Sequence, residues 1–113
     1  MVVAGNLLHS LPDAQAAEIF EAIVSRPGVR VERIISHGQV TPEDQPYIQP
    51  YEEWVLILSG HARLWVDGVG EVSLHPGDYY LIPAHAAHRV TWTCPDEPTI
   101  WLTLHFDEQE VEG

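Results

Sequence analysis

Lysine is absent from this 113-residue chain, and basic charge is scarce: five arginines stand against 17 acidic residues, for a formal net charge of −12. A chain so acidic repels a phosphate backbone at every approach, so nucleic acid is excluded as the expected partner. Without lysine there is neither Schiff-base catalysis nor a P-loop. Cysteine is nearly absent too. Cys94, the one thiol, permits no intramolecular disulfide, no Cys-x-x-Cys redox pair and no cysteine zinc site, and its acidic turn Thr93-Cys94-Pro95-Asp96-Glu97-Pro98 disfavours a thiolate. No apolar run reaches membrane-spanning length, and the N-terminus lacks the basic and apolar regions of a signal peptide. The expectation is a cytoplasmic protein that engages no membrane.

The composition suits one domain with one modest core, since 45% of residues are hydrophobic. Ser10-Leu11-Pro12-Asp13 resembles a helix start. Ala16, Ile19, Phe20, Ile23 and Val24 then recur at helical spacing before Pro27-Gly28. These features predict an N-terminal helical segment over residues 1–28, packed on the rest of the chain. The remainder reads as strands. Val29 to His37 alternates, with Val29, Val31, Arg33, Ile35 and His37 on one face and Arg30, Glu32, Ile34 and Ser36 on the other. Either face can be the inner one. If it is the first, Arg33 and His37 become polar points able to grip an anionic substrate group; otherwise His37 ends the strand and Arg33 pairs with an acid.

Residues 39–51 hold three prolines and read as an irregular or bent extended segment. Strands are expected at Glu53–Ser59, Ala62–Asp67 with a hairpin turn at Asp67-Gly68, Glu71–Leu74 and Tyr79–Ile82. Pro83 stops the last of these. Beyond the Ala-His-Ala-Ala turn, His88, Val90 and Trp92 share a face by alternation. Thr99–Phe106 closes the sheet, with Trp101, Thr103 and His105 on one face and Ile100, Leu102, Leu104 and Phe106 on the other. Residues 107–113 form an acidic tail, expected to fray.

The stretch from Gly77 through Pro83 and His85 to His88 resembles the second motif of the cupins, Gly-x5-Pro-x-Gly-x2-His-x3-Asn, with His85 where the motif has glycine and Trp92 where it has asparagine. Glu53 with Gly60 supplies the second half of the first motif, His-x-His-x(3,4)-Glu-x6-Gly, whose two histidine positions fall on Tyr47 and Gln49. The resemblance implies an all-β protein with one N-terminal helix, the body being a cupin double-stranded β-helix, a jelly-roll barrel, over residues 29–106. It further implies a divalent metal, Zn, Ni, Mn or Fe, held by Glu53, His88 and Gln49, with His85 as a further candidate. Tyr47, His85 or His37 would donate or accept protons, and Trp92 and Trp101 would line a small-molecule pocket with Arg33. Three functions are the expectations: a metal-dependent enzyme of isomerase, lyase or oxygenase type, a non-catalytic binding or sensing barrel with an eroded metal site, or a structural or assembly role with no pocket. Small cupins usually dimerise, and tryptophans at 54 and 65 on outer faces point to a homodimer.

Overall fold

The computed structural model describes residues 4–107, so the expected frayed tail lies, beyond Asp107, outside the described residues. Eight strands make two antiparallel sheets: β1 (Ile19–Arg26), β2 (Val29–Ser36), β3 (Glu52–Ser59), β4 (Ala62–Val66), β5 (Gly70–Leu74), β6 (Tyr79–Ile82), β7 (His88–Thr93) and β8 (Thr99–Phe106). The larger sheet has the order β1-β2-β8-β3-β6 and the smaller β5-β4-β7. Sequence-distant strands lie side by side in both, as in a jelly roll.

The expected N-terminal helix is absent among the described residues. Its segment instead forms β1, which runs back antiparallel to β2 from Ile19 opposite Ile35 to Arg26 opposite Val29. That pairing leaves a two-residue loop, Pro27-Gly28, with Gly28 at φ 88°. Proline presets the first loop position and glycine accepts the left-handed second, so this dipeptide is a hairpin turn rather than a helix stop. The apparent helical spacing has a second source. The register shifts between Ala22 and Val24, so an extra residue breaks strict alternation and imitates a longer period. Tertiary pairing settles the outcome: β2 gains a partner on its open edge, and the β-branched Ile19, Ile23 and Val24 suit a strand.

The core fills the space between the sheets. Val55, Ile57, Ala62, Leu64, Val66, Leu74, Ile82 and Trp101 form one buried cluster, and a fully buried side chain such as Ile57 or Leu64 contributes roughly 1.5–3 kcal/mol over an exposed one. Strand alternation decides membership. Glu53, Val55 and Ile57 are buried on β3 while Trp54, Leu56 and Leu58 turn to the outer side. Gly60 then carries the chain towards the second sheet at φ 88°, and a Cβ there would stand 2.7 Å from the Thr99 Cα. The irregular segment 39–51 lies along β7, where Tyr47 and His88 exchange backbone hydrogen bonds of 2.8 and 3.0 Å. It thereby covers an edge that would otherwise be open.

Candidate functional site

A cavity of about 220 Å³ lies between the sheets, floored by Val55, Leu64, Ile82 and Trp101. Four of its polar side chains come from four different strands. Glu53 leaves β3 inward, His88 opens β7, and His105 ends the inner row of β8. Glu32 belongs to the inner face of β2. Register brings them together: Glu53 pairs directly with His105, and Glu32 pairs with Thr103, one inward step along the same strand. Directly paired residues project to the same face, so these groups meet by construction.

Glu53 stands at the centre. One carboxylate oxygen is 3.5 Å from the His88 Nε2 and the other 3.6 Å from the His105 Nε2. The second imidazole also meets Glu32 at 3.2 Å. Glu53 and both histidines are buried, at 8% and 5% exposure, and Glu32 is half-buried. A carboxylate so placed needs a partner, because desolvating an unpaired charge costs several kcal/mol. His88 has a defined tautomer when neutral: its Nδ1 lies 3.0 Å from the Ala86 carbonyl oxygen, and an oxygen that can only accept obliges Nδ1 to donate. The Nε2 lone pair then faces Glu53, two acceptors against each other, unless a proton or a cation sits between them. The His88 pKa reflects this. Burial opposes the charged ring, but the hydrogen bonds to Glu53 and to the Ala86 carbonyl, with the Glu53 charge, outweigh it and raise the pKa above 6.5.

Further out, Tyr47 stacks on His88 with ring centroids 5.8 Å apart. Burial, then the charges of Glu18 and Glu53, raise its phenol pKa above the ordinary value of 10, so at neutral pH it can donate a proton but not receive one. Glu18 reaches the cavity from just before β1 and accepts a hydrogen bond from the Ser36 hydroxyl. That hydroxyl in turn accepts one from the Trp101 indole at 3.2 Å. Burial pushes the Glu18 carboxyl above 4.5 despite the Ser36 hydrogen bond.

Of the residues singled out in the sequence, Tyr47, Gln49, Glu53, His88 and Trp101 line the cavity. Four do not. Arg33 sits on the opposite face of β2, because Glu32 and Ile34 take the inner one. There it binds Glu21 at 2.7 Å and donates to the carbonyls of Leu7, His9 and Ser10, pinning the N-terminal coil. His37 lies past the end of β2, its backbone N–H bonded to the Gln39 side chain. His85 is exposed in the turn before β7 at φ 67°, the left-handed conformation that glycine would adopt without strain. Trp92 is turned outward by a bulge: β7 pairs Val90 with Leu64 but Trp92 with Arg63, so Thr91 is the extra residue and Thr93 goes inside instead. Its ring lies against His61, centroids 5.0 Å apart, and under Arg63.

His105, Glu32 and Glu18 are cavity residues that neither cupin motif contains. Alternation along β8 does place His105 with Trp101 and Thr103, so its inward aim is legible in the sequence. Its pairing with Glu53 needs the strand order, which no local signal carries.

Could this centre hold a metal? Two imidazoles, carboxylates and an amide oxygen make a nitrogen and oxygen donor set suited to Zn, Ni, Mn or Fe. The Gln49 Oε1, which lines the cavity, is buried without a hydrogen-bond partner, unusual for such an atom. The 3.5 and 3.6 Å separations are near the roughly 3.4 Å between two ligand atoms on a tetrahedral cation with bonds of about 2.1 Å. Against this, no group of three or more His, Cys, Asp or Glu among the described residues is placed, as it stands, to hold a metal ion. The two observations are compatible, since Glu53 meets the imidazoles pairwise on its two oxygens rather than at one shared point. The donors fit a divalent cation by chemistry, and a cation would take the place of the direct Glu53–imidazole contacts.

Two antiparallel sheets enclosing a cavity with a polar centre define the class of the fold, a jelly-roll barrel. More narrowly, the chain belongs to the cupin family: the Cupin_2 model, cupin domain, matches residues 33–105. The chain is similar to the crystal structure of a "putative mannose-6-phosphate isomerase" from Ralstonia eutropha JMP134, at 42% identity and a TM-score of 0.88, over 93% of this chain and 98% of that one. It shares the fold of a cupin superfamily protein from Desulfitobacterium hafniense DCB-2, at 19% identity, TM-score 0.69, over 87% of this chain and 84% of that one. It shares it also with a DMSP lyase from Ruegeria pomeroyi DSS-3, at 20% identity and TM-score 0.68, over 84% of this chain and 49% of the lyase. Among curated proteins, none matches the chain.

Proposed function

We propose that this chain is a cupin enzyme of the isomerase or lyase kind, moving a proton on a small molecule held in the barrel, with a divalent cation bound by Glu53, His88 and His105 and by the Gln49 amide oxygen. One observation carries the reading. The His88 Nε2, its lone pair fixed inward by the Ala86 carbonyl, faces a Glu53 oxygen at 3.5 Å, an arrangement that calls for a proton or a cation between the two. The likeness to the Ralstonia protein supports the isomerase class.

When bound, the cation would act as a Lewis acid on a carbonyl or hydroxyl oxygen of the substrate. The chain's own groups do the rest. Ala86 holds the His88 ring in one orientation and tautomer. Glu32, whose carboxylate lines the cavity 3.2 Å from the His105 Nε2, is a group left to take a proton, since the His88 ring, ligating through Nε2 and donating through Nδ1, has no lone pair free. Tyr47, protonated at neutral pH, can donate to a developing oxyanion. The apolar floor of Val55, Leu64 and Ile82 keeps bulk water from the reacting atoms.

A second reading rests on a different observation. The pairwise contacts of Glu53 already give its carboxylate a partner, and no ready metal cluster exists among the described residues, which favours a metal-free binding or sensing barrel. Plasma mass spectrometry of the untagged protein, beside Glu53→Ala and His88→Ala, separates the two. Near one metal per chain, lost in both variants, supports the enzyme; no metal after reloading with Zn, Mn, Fe and Ni leaves the binding barrel.

Association is proposed as well. The outer side of the larger sheet carries Trp54 against Tyr79, ring centroids 5.7 Å apart, next to Leu81 at 46% exposure. A second copy covering this face would bury them.

A further inference from the structure

The cavity carries three carboxylates, Glu32 from β2, Glu53 from β3 and Glu18 from the segment before β1, while the chain has no lysine. Each of the five arginines is committed elsewhere. Arg33 is sealed against Glu21 and the N-terminal coil. Arg63 and Arg89 stack outside on Trp92 and Trp65, and Arg26 bonds its neighbour's carbonyl at the surface. Arg30 shares the inner face of β2 but sits beyond the cavity, divided between Glu32 at 3.6 Å and Asp107 at 3.8 Å.

No lysine or arginine lines the cavity, whose charged groups are three carboxylates and two imidazoles; Arg30 offsets part of the Glu32 charge from outside, on the oxygen that does not face His105. The chain's own side chains thus offer a phosphate dianion neither an ammonium nor a guanidinium to offset its desolvation. The walls that complete the cavity are aromatic: Trp101 within, and Tyr47 and Phe20, 48% and 55% exposed, at the mouth. Ring faces beside carboxylates are the surroundings that hold an organic ammonium ion. The volume of about 220 Å³ equals roughly seven waters at about 30 Å³ each, the size of one ring with a short arm.

From this we infer that the ligand is a small organic cation, an amine or quaternary ammonium compound with an apolar flank, and not a sugar phosphate. The inference rests on the cavity being the ligand site, as proposed above, and it separates this chain's substrate class from the one in the Ralstonia protein's name.

The test is calorimetric titration of the purified protein with three probes sharing one skeleton: benzylammonium, benzyl alcohol and benzyl phosphate. Benzylammonium should bind about tenfold more tightly than benzyl alcohol, a difference of about 1.4 kcal/mol, and benzyl phosphate should give no heat of binding. Glu18→Gln and Glu32→Gln should each shrink the amine's advantage over the alcohol. Benzyl phosphate binding as well as the amine, or an advantage untouched by both variants, overturns the charge inference and leaves the cavity as a site. No binding by any probe up to roughly 10 mM, a floor near 3 kcal/mol of affinity, overturns the cavity as the site itself.

Discussion

Replacing Glu53 by Gln keeps the size of the side chain and removes its charge, and the consequence can be traced through His88. In the wild type, burial lowers the His88 pKa while three contributions raise it: the hydrogen bond to Glu53, the hydrogen bond to the Ala86 carbonyl and the Glu53 charge. The sum is a pKa above 6.5. A histidine raised on folding contributes stability that is fully present below its unfolded value and is lost as pH rises through the folded one. Metal-stripped wild type should therefore lose stability as pH climbs from about 6.5. In Glu53→Gln the charge is gone and the hydrogen bond weakened, leaving Ala86 alone against burial. The folded pKa should drop below 6.5 and the sign reverse, so that the His88 contribution now destabilises as pH falls. One proton limits the slope to about 1.4 kcal/mol per pH unit in either direction. Urea unfolding from pH 5.5 to 8.5 measures it, and the His88 ring resonance, monitored by NMR, assigns it. At neutral pH the variant should also lose roughly 2 kcal/mol, since a buried charged hydrogen bond is replaced by a neutral one. Parallel stability profiles for the two proteins, with an unmoved His88 titration, would refute the coupling.

Four shorter expectations concern single positions. Gly60→Ala should cost about 2–4 kcal/mol in urea unfolding, because it adds left-handed strain to a contact with backbone atoms of Thr99 and Pro98; a loss under about 1 kcal/mol would mean that the turn yields easily. His85→Gly should stabilise by up to about 1 kcal/mol by relieving its φ of 67° and leave bound metal unchanged, whereas loss of metal would make His85 a ligand. Glu18→Gln should flatten the fall in stability between pH 4.5 and neutral that a carboxyl with a raised pKa produces, and a profile matching wild type would show that Glu18 ionises freely. Sedimentation should give a dimer that Trp54→Glu and Leu81→Glu dissociate; a wild-type monomer ends that proposal.

How legible is the fold in the sequence? Seven of the strands, β2 through β8, can be drawn from β-prone composition, alternation and turn residues, although β6 is a continuous apolar run and β7 changes its parity at Thr91. The remaining strand, β1, reads as a helix, and the error has a local cause. Ile19, Phe20, Ile23 and Val24 satisfy a helical spacing because the bulge at Ile23 inserts a residue into a strand. Pro27-Gly28 is compatible with either reading, and only the open edge of β2 decides between them.

Trp92 and His105 mark the limits of inferring a site from alternation, for opposite reasons. For Trp92 the parity rule applies to a strand that does not keep its parity: Thr91 is unpaired, so every side chain after it changes face. For His105 the parity holds and the inward aim can be read, but its meaning depends on which strand lies alongside. Glu53 and His105 are 52 positions apart in the chain and become cross-strand partners because β8 inserts between β2 and β3. The same insertion carries Glu32 to within reach of that imidazole. A motif written along one strand and one turn can name Glu53 and His88, but the groups that set the charge of the cavity arrive from β2, β8 and the segment before β1. The carboxylates and the imidazole that join Glu53 and His88 in the cavity thus come from segments that the motifs leave out, and substitutions at Glu18, Glu32 and His105 should alter what the cavity accepts while the fold stays intact.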